Sequence, residues 1–251
     1  MPRPDVVKTT YESFTKNLQG FDFKKSTLYL NVDSYPDKID DYKRNEVVDI
    51  AKHYFGNVVV NLPETPSFPA AVKWCFSKVE TFYNFHLEDD WELLTPFNVS
   101  SFSTFFNHTH VQQVALRAWR RTKSYFWLSP SFLRGSFCRE MAEKMNIYNN
   151  PEAQIRALKN KYKRKSFLYF PFDMQMVVLK DLGRGWIRNQ KYYRGRNFNQ
   201  WSIREEGKII PEMSDQNEQI SFERLNSNPN LFPKTNPTQN IKHINRKRRR
   251  I

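Results

Sequence analysis

Three carboxylates stand side by side in the segment FHLEDDWELL: Glu88, Asp89 and Asp90, preceded by an apolar run and followed at once by Trp91. Like charges crowded in this way raise one another's pKa, so the cluster calls for a cation. Hard divalent ions prefer oxygen ligands, and Mn²⁺ or Mg²⁺ held by Asp90, Asp89 and Glu88 would clamp a diphosphate. The same residues also read as a solvated acidic turn at a helix start, where acids are favoured. Further along, KDLGRGWIRNQKYYRGRNFNQW (180–201) interleaves Arg184, Arg188, Arg194 and Arg196 with Trp186, Tyr192, Tyr193 and Trp201. Such a mixture suits base stacking on single-stranded nucleic acid, a clamp over a nucleotide diphosphate, or a plain strand pair about a Gly turn.

The other reactive side chains say less. His86 precedes the acids on an apolar run, a setting more typical of core than of a ligand. His108 and His110 share one face of an extended segment, but no third ligand stands at suitable spacing for zinc. Cys75 and Cys138 are too few for a disulfide framework and sit in no CxxC pair, so both read as buried thiols. NNPEAQIRAL (149–158) has an Asn cap, Pro151 at the first helical position and Glu152 in the first turn, which explains the string as a helix start.

The elements that must position these groups alternate. Val7, Tyr11, Phe14 and Leu18 mark a helical face, STLYLNVD (26–33) a strand, 40–54 a second helix and NVVVNL (57–62) a second strand. A third helix over 68–79 leads to the strand FYNFHL (82–87), which ends at the acids. This order predicts an α/β fold, a parallel sheet with helices on both faces, whose active residues collect at the carboxyl ends of strands. A short strand is expected within VQQVALRAWRRTKSYFW (111–127), and LSPSFLRG reads as a loop with Pro130 and Gly135 leading into a helix.

At 251 residues, 39% hydrophobic and 16% aromatic, the chain can bury a real core. Forty Lys and Arg against 26 Asp and Glu give +14, which favours anionic partners: nucleic acid, anionic membrane or a phosphorylated small molecule. No apolar run reaches the roughly 18 residues of a membrane span, and the start has no signal-peptide core, so the expected compartment is cytoplasmic. The folded part is expected over 1–206. Beyond it, 207–251 is rich in Asn, Pro, Ser and Gln and ends in NIKHINRKRRRI, which reads as a flexible basic tail.

The run FGNVVVNLPETPSFPAAVKWCFSKVETFYNFHLEDDWELL resembles the core of nucleotide-sugar-dependent glycosyltransferases of the GT-A fold, of the inverting family 2 type. There, a strand ends in an Asp-x-Asp metal motif, matched here by Glu88-Asp89-Asp90. LYLNVDSYP is similar to the family's second strand, whose terminal acid, here Asp33, contacts the nucleotide, and Arg3-Pro4-Asp5 is similar to the signature that opens its first helix. The resemblance implies a Rossmann-like, mostly parallel sheet with a nucleotide-binding part over about 1–95 and an acceptor part over about 96–206. It also implies that the sheet lacks the strand that precedes the Arg-Pro signature in the family.

On the same ground, Asp33, Asp89, Arg184 and Trp186 would bind the nucleotide sugar, with Ser131 and Arg134 on the acceptor. Glu152 would be the base that deprotonates the acceptor hydroxyl, with Glu140 and Asp181 in reserve. Transfer would proceed with inversion and with Mn²⁺ or Mg²⁺, the partners being a nucleotide-sugar donor and a glycan or other hydroxyl acceptor. The alternative is a non-catalytic nucleic-acid-binding protein that uses the basic tail and the Arg/aromatic segment.

Overall fold

The computed structural model describes residues 1–203 apart from 117, 119–125, 159–160, 163–165, 172–175, 189–191 and 195–200. These belong to one compact unit, Met1–Lys208. The expected tail, 207–251, lies outside the described residues.

Local chemistry sets the first elements. Helix α1 (Pro4–Asn17) opens on Pro4, whose missing N–H costs nothing in the first turn, and buries Val7, Thr10, Tyr11 and Phe14 along one face. A two-residue strand β1 (Leu18–Gln19) precedes Gly20, whose φ of 77° is a left-handed value that glycine adopts without strain. Strand β2 (Thr27–Asn31) is followed by helix α2 (Asp41–Tyr54), capped by the Asp40 carboxylate, which accepts from the Lys43 N–H at 3.1 Å. Strand β3 (Asn57–Asn61) and helix α3 (Phe68–Ser77) follow, then strand β4 (Tyr83–His86). All six of these main elements lie where the sequence predicts them.

The second half contains β5 (Trp91–Leu93), β6 (Phe97–Asn98), α4 (Ser100–Phe106), β7 (Gln113–Leu116), β8 (Ser131–Arg134), α5 (Gly135–Lys144) and α6 (Pro151–Ala157). After these come β9 (Phe167–Phe170), β10 (Leu179–Asp181), α7 (Gly183–Arg188), β11 (Tyr192–Arg194) and β12 (Trp201–Ile203). The four-stranded sheet runs β4-β8-β7-β9, with β7 parallel to β9 and β8 antiparallel to both of its neighbours. Residues 131–134, expected as loop, are therefore a strand: Phe132 and Leu133 bury against opposite faces of the sheet, and that burial outweighs the loop signals of Pro130 and Gly135. Elsewhere β2 pairs with β3 and β1 with β6 in parallel, and β10 pairs with β5 in antiparallel.

The architecture is α/β, with parallel strand pairs flanked by helices. Val114, Leu116 and Phe132 join one hydrophobic cluster with α1, α2 and α4. Leu133 and Phe167 join a second with α3, α5 and α6. Strand β7 is buried at every position, as expected of a strand covered on both faces.

Strands β2 and β4 each keep one edge that pairs with no strand among the described residues. Val32 N–H donates to Asn61 C=O and Asn57 N–H to Ser26 C=O, so the even-numbered residues of β2 face β3. Thr27, Tyr29 and Asn31 turn their backbone groups the other way, and the Cys75 thiol lies 3.7 Å from the Tyr29 carbonyl. On β4, Gly135 N–H donates to Phe82 C=O, which leaves Tyr83, Phe85 and Leu87 facing away from β8. Helix α3 reaches both strands, with Trp74 against Tyr29 and Phe76 against His86. Helix α1 sets Phe14 against Phe85 of β4.

Candidate functional site

Strands β2 and β4 both deliver their carboxyl ends to the start of α1. After β2, Tyr35 Oη donates to the Pro2 carbonyl at 2.9 Å. After β4 the acids meet Arg3: Nε donates to Asp89 Oδ2 at 3.2 Å, Nη2 to Asp89 Oδ1 at 2.5 Å, and Nη2 to Asp90 Oδ2 at 3.1 Å. The fork of N–H donors on a guanidinium matches a carboxylate edge, and pairs of this kind are stronger and more directional than neutral hydrogen bonds. Arg3 is only 4% exposed. Its burial works against its charge, but Asp89 and Asp90 more than offset this and hold its pKa above the ordinary arginine value.

Helix α1 anchors the turn a second time, because Thr10 Oγ1 donates to the Asp89 carbonyl at 2.9 Å. On the other side, Leu182 N–H donates to the Asp90 carbonyl at 2.8 Å, as the β10–β5 pair brings the start of α7 up to the acids. Gly183 leaves room for Asp90 there: a Cβ on it would stand 2.2 Å from Asp90 Oδ2. One turn along α7, the Trp186 ring lies over the guanidinium, with Arg3 Cζ 5.5 Å from its centroid, a cation–π arrangement.

Toward β2 the site continues through Tyr11 and Cys75. Burial pushes the Tyr11 hydroxyl up, with Asp89 adding to the effect. The Cys75 thiol is pushed up to about 12, by burial first and then by Asp33. Asp33 accepts a hydrogen bond from Asn31 Nδ2 at 2.8 Å. Asp33 and Asp89 thus bear on neighbouring groups across the space between β2 and β4, and the thiol there stays protonated at neutral pH.

The remaining predicted residues are held differently. Glu88 is turned to Trp91, whose Nε1 donates to Oε2 at 2.9 Å. Among the described residues no group of three or more His, Cys, Asp or Glu side chains is placed to hold a metal ion. Asp89 and Asp90 are bonded to Arg3, and Glu88 to Trp91. Ser131 is fully buried and accepts from Gln113 Nε2 at 3.0 Å. Arg134 pairs in register with Tyr83, the end of β4 farthest from the acids, and donates to the Phe106, His108 and Val111 carbonyls.

Glu152 Oε1 accepts from Leu128 N–H at 2.8 Å and Oε2 from Arg156 at 2.7 Å, while Arg156 stacks 3.9 Å over the Trp127 ring. Asn150 caps that helix through Ala153 N–H, as its sequence predicts. Glu140 accepts from Lys144, Lys161 and Tyr162; these bonds outweigh its desolvation and hold its pKa at about 2. Asp181 lies opposite Trp91 in the β10–β5 pair, next in sequence to the α7 segment that meets Asp90. Arg184 falls within α7, its side chain outside the described residues.

The structure therefore brings Asp89, Asp90 and Trp186 together, sets Asp33 nearby, and leaves Ser131, Arg134 and Glu152 engaged in internal hydrogen bonds. Sequence reasoning missed Arg3 as the partner of the acids, and Thr10 and Gly183 as their supports. The available signal was a charged Arg-Pro helix start and a glycine directly before the Arg/Trp segment.

No known protein family matches the chain, and no curated protein matches it. Among solved structures it is similar to a cytidylyltransferase from Leptospira borgpetersenii serovar Hardjo-bovis, at 12% identity and a TM-score of 0.42, covering 70% of each chain. It is also similar to mouse xyloside xylosyltransferase 1 in its apo form, at 10% identity and a TM-score of 0.38, covering 70% of this chain and 81% of that one. Likeness at these values carries no weight for substrate or reaction. No described helix is long and apolar enough to cross a membrane.

Proposed function

We propose that the protein is a transferase that binds a nucleotide sugar at the carboxyl ends of β2 and β4 and passes the sugar to an acceptor hydroxyl. The observation that carries this reading is the convergence of Asp89, Asp90, Arg3 and Trp186 at those strand ends, where α/β folds bind their ligands. The order of motifs along the sequence supports it as well. In this reading Asp33 and Asp89 meet the hydroxyl-bearing part of the nucleotide, since a carboxylate accepts from paired hydroxyls. Trp186 offers a flat face to the ligand, and Arg184 adds positive charge from the same helix. Glu152 is the base of the expected inverting step, and it must exchange its bonds to Leu128 and Arg156 for the acceptor hydroxyl before it can act. The expected divalent ion belongs to this reading only if Arg3 gives up the acids.

The test is calorimetric titration of UDP and GDP, and of their sugar conjugates, into the protein and into Asp90→Ala. Micromolar binding that the substitution abolishes supports the reading and narrows the donor. A folded protein that binds no nucleotide contradicts it. The nucleic-acid reading makes a separate prediction: deleting 240–251 collapses affinity for single-stranded nucleic acid, whereas nucleotide-sugar binding survives the same deletion.

A further inference from the structure

Asp89 and Asp90 already hold a cation, and it is a side chain of this protein. The Arg3 guanidinium spends Nε and Nη2 on the two carboxylates and is 4% exposed, so water does not compete for those bonds. A divalent ion entering there would have to break a bidentate pair and a second salt bridge, and would find one Glu88 oxygen accepting from Trp91. One part of the guanidinium is unspent. Nη1 is buried without a hydrogen-bond partner among the described residues, beneath the half-buried ring of Trp186. A buried charged donor with no acceptor is costly, and its persistence calls for a reason such as an oxygen that arrives with a ligand.

We propose that Arg3 stands in for a divalent cation at this site. It is the resident counter-ion of Asp89 and Asp90, and its Nη1 donates to a phosphate oxygen of the bound nucleotide once the Trp186 ring moves aside, so that binding is metal-independent. The identity of that oxygen rests on the nucleotide-sugar reading; the counter-ion role does not.

The experiment titrates the full chain with Mn²⁺ alone, and then with UDP and GDP, each in EDTA and in Mn²⁺. The wild type is expected to take up Mn²⁺ no more tightly than about 1 mM, the weak end of oxygen-ligand sites. Arg3→Ala, checked for folding by circular dichroism, should gain at least about tenfold in Mn²⁺ affinity, a gain that Arg3→Ala with Asp90→Asn loses. Nucleotide affinity should be the same in EDTA as in Mn²⁺. Micromolar uptake of Mn²⁺ by the wild type, or nucleotide binding that EDTA removes, would overturn the proposal without recourse to any variant. If Mn²⁺ behaves as expected and no nucleotide binds, the nucleotide-sugar reading fails and takes the phosphate role of Nη1 with it, while the counter-ion role stands.

Discussion

Strands β7 and β2 each have a parallel partner, yet they live in different surroundings. β7 sits between β8 and β9 and is buried at every position. β2 has β3 on one side and, among the described residues, no strand on the other, and only Leu30 among its residues is buried. The contrast extends to their neighbourhoods: around β7 lie rings such as Phe102 and Phe132, stacked at 4.7 Å, whereas β3 leaves Val59 37% exposed. The four-stranded sheet is buried on both faces, whereas the β2–β3 pair leads to Asp33, which accepts from Asn31, and to Tyr35, which donates to the Pro2 carbonyl. Arg3, Asp89, Asp90 and Trp186 meet at the junction between β2 and β4, where no strand joins the two among the described residues.

Substitutions can break that contrast. The largest expected effect is where α4 packs on the four-stranded sheet: Phe102→Ala, which removes the ring stacked on Phe132, should cost about 3–5 kcal/mol by urea unfolding, the usual loss for a fully buried ring. At the junction, Gly183→Ala should cost about 1–3 kcal/mol, because its methyl group overlaps the Asp90 carboxylate. Nucleotide affinity should drop in the same variant, since Asp90 has to move.

A pH scan sharpens the boundary between the regions. Burial lowers the His86 pKa from 6.5 to about 4 in the folded protein, while the Leu128 backbone raises it slightly. The neutral form is therefore the one that folds. Its contribution is fully present above pH 6.5 and is lost as the pH falls toward 4, so stability should decline across that window and the decline should vanish in His86→Phe. The smallest effect is on β3, where Val59→Ala should stay within about 0.5 kcal/mol of wild type. A loss there as large as that of Phe102→Ala would mean that the β2–β3 pair is packed as tightly as the sheet.

The sequence made some of this legible and hid the rest for identifiable reasons. Helices α1 to α3 and strands β2 to β4 are readable because periodicity is local, and α6 because the Asn150 cap and Pro151 stand next to each other. The acids at the end of β4 were visible as a run of like charge after an apolar strand. Their partner was not, because Arg3 and Asp89 lie 86 residues apart and no local spacing joins them. Strand β8 escaped notice because four residues between a proline and a glycine carry too little alternation to outweigh turn signals. Ser131 and Arg134 drew attention as polar groups near that supposed loop, and pairing with β4 and β7 is what draws them into internal hydrogen bonds.

The central claim is that the nucleotide lands where α1, the end of β4 and α7 meet. Hydrogen–deuterium exchange of the full chain with and without saturating nucleotide sugar tests it most directly. The account predicts slowed exchange in three segments together, residues 3–12, 87–92 and 182–188, with β7 and β8 unchanged. Protection confined to other segments, or none at all under conditions where binding is measured, would contradict it.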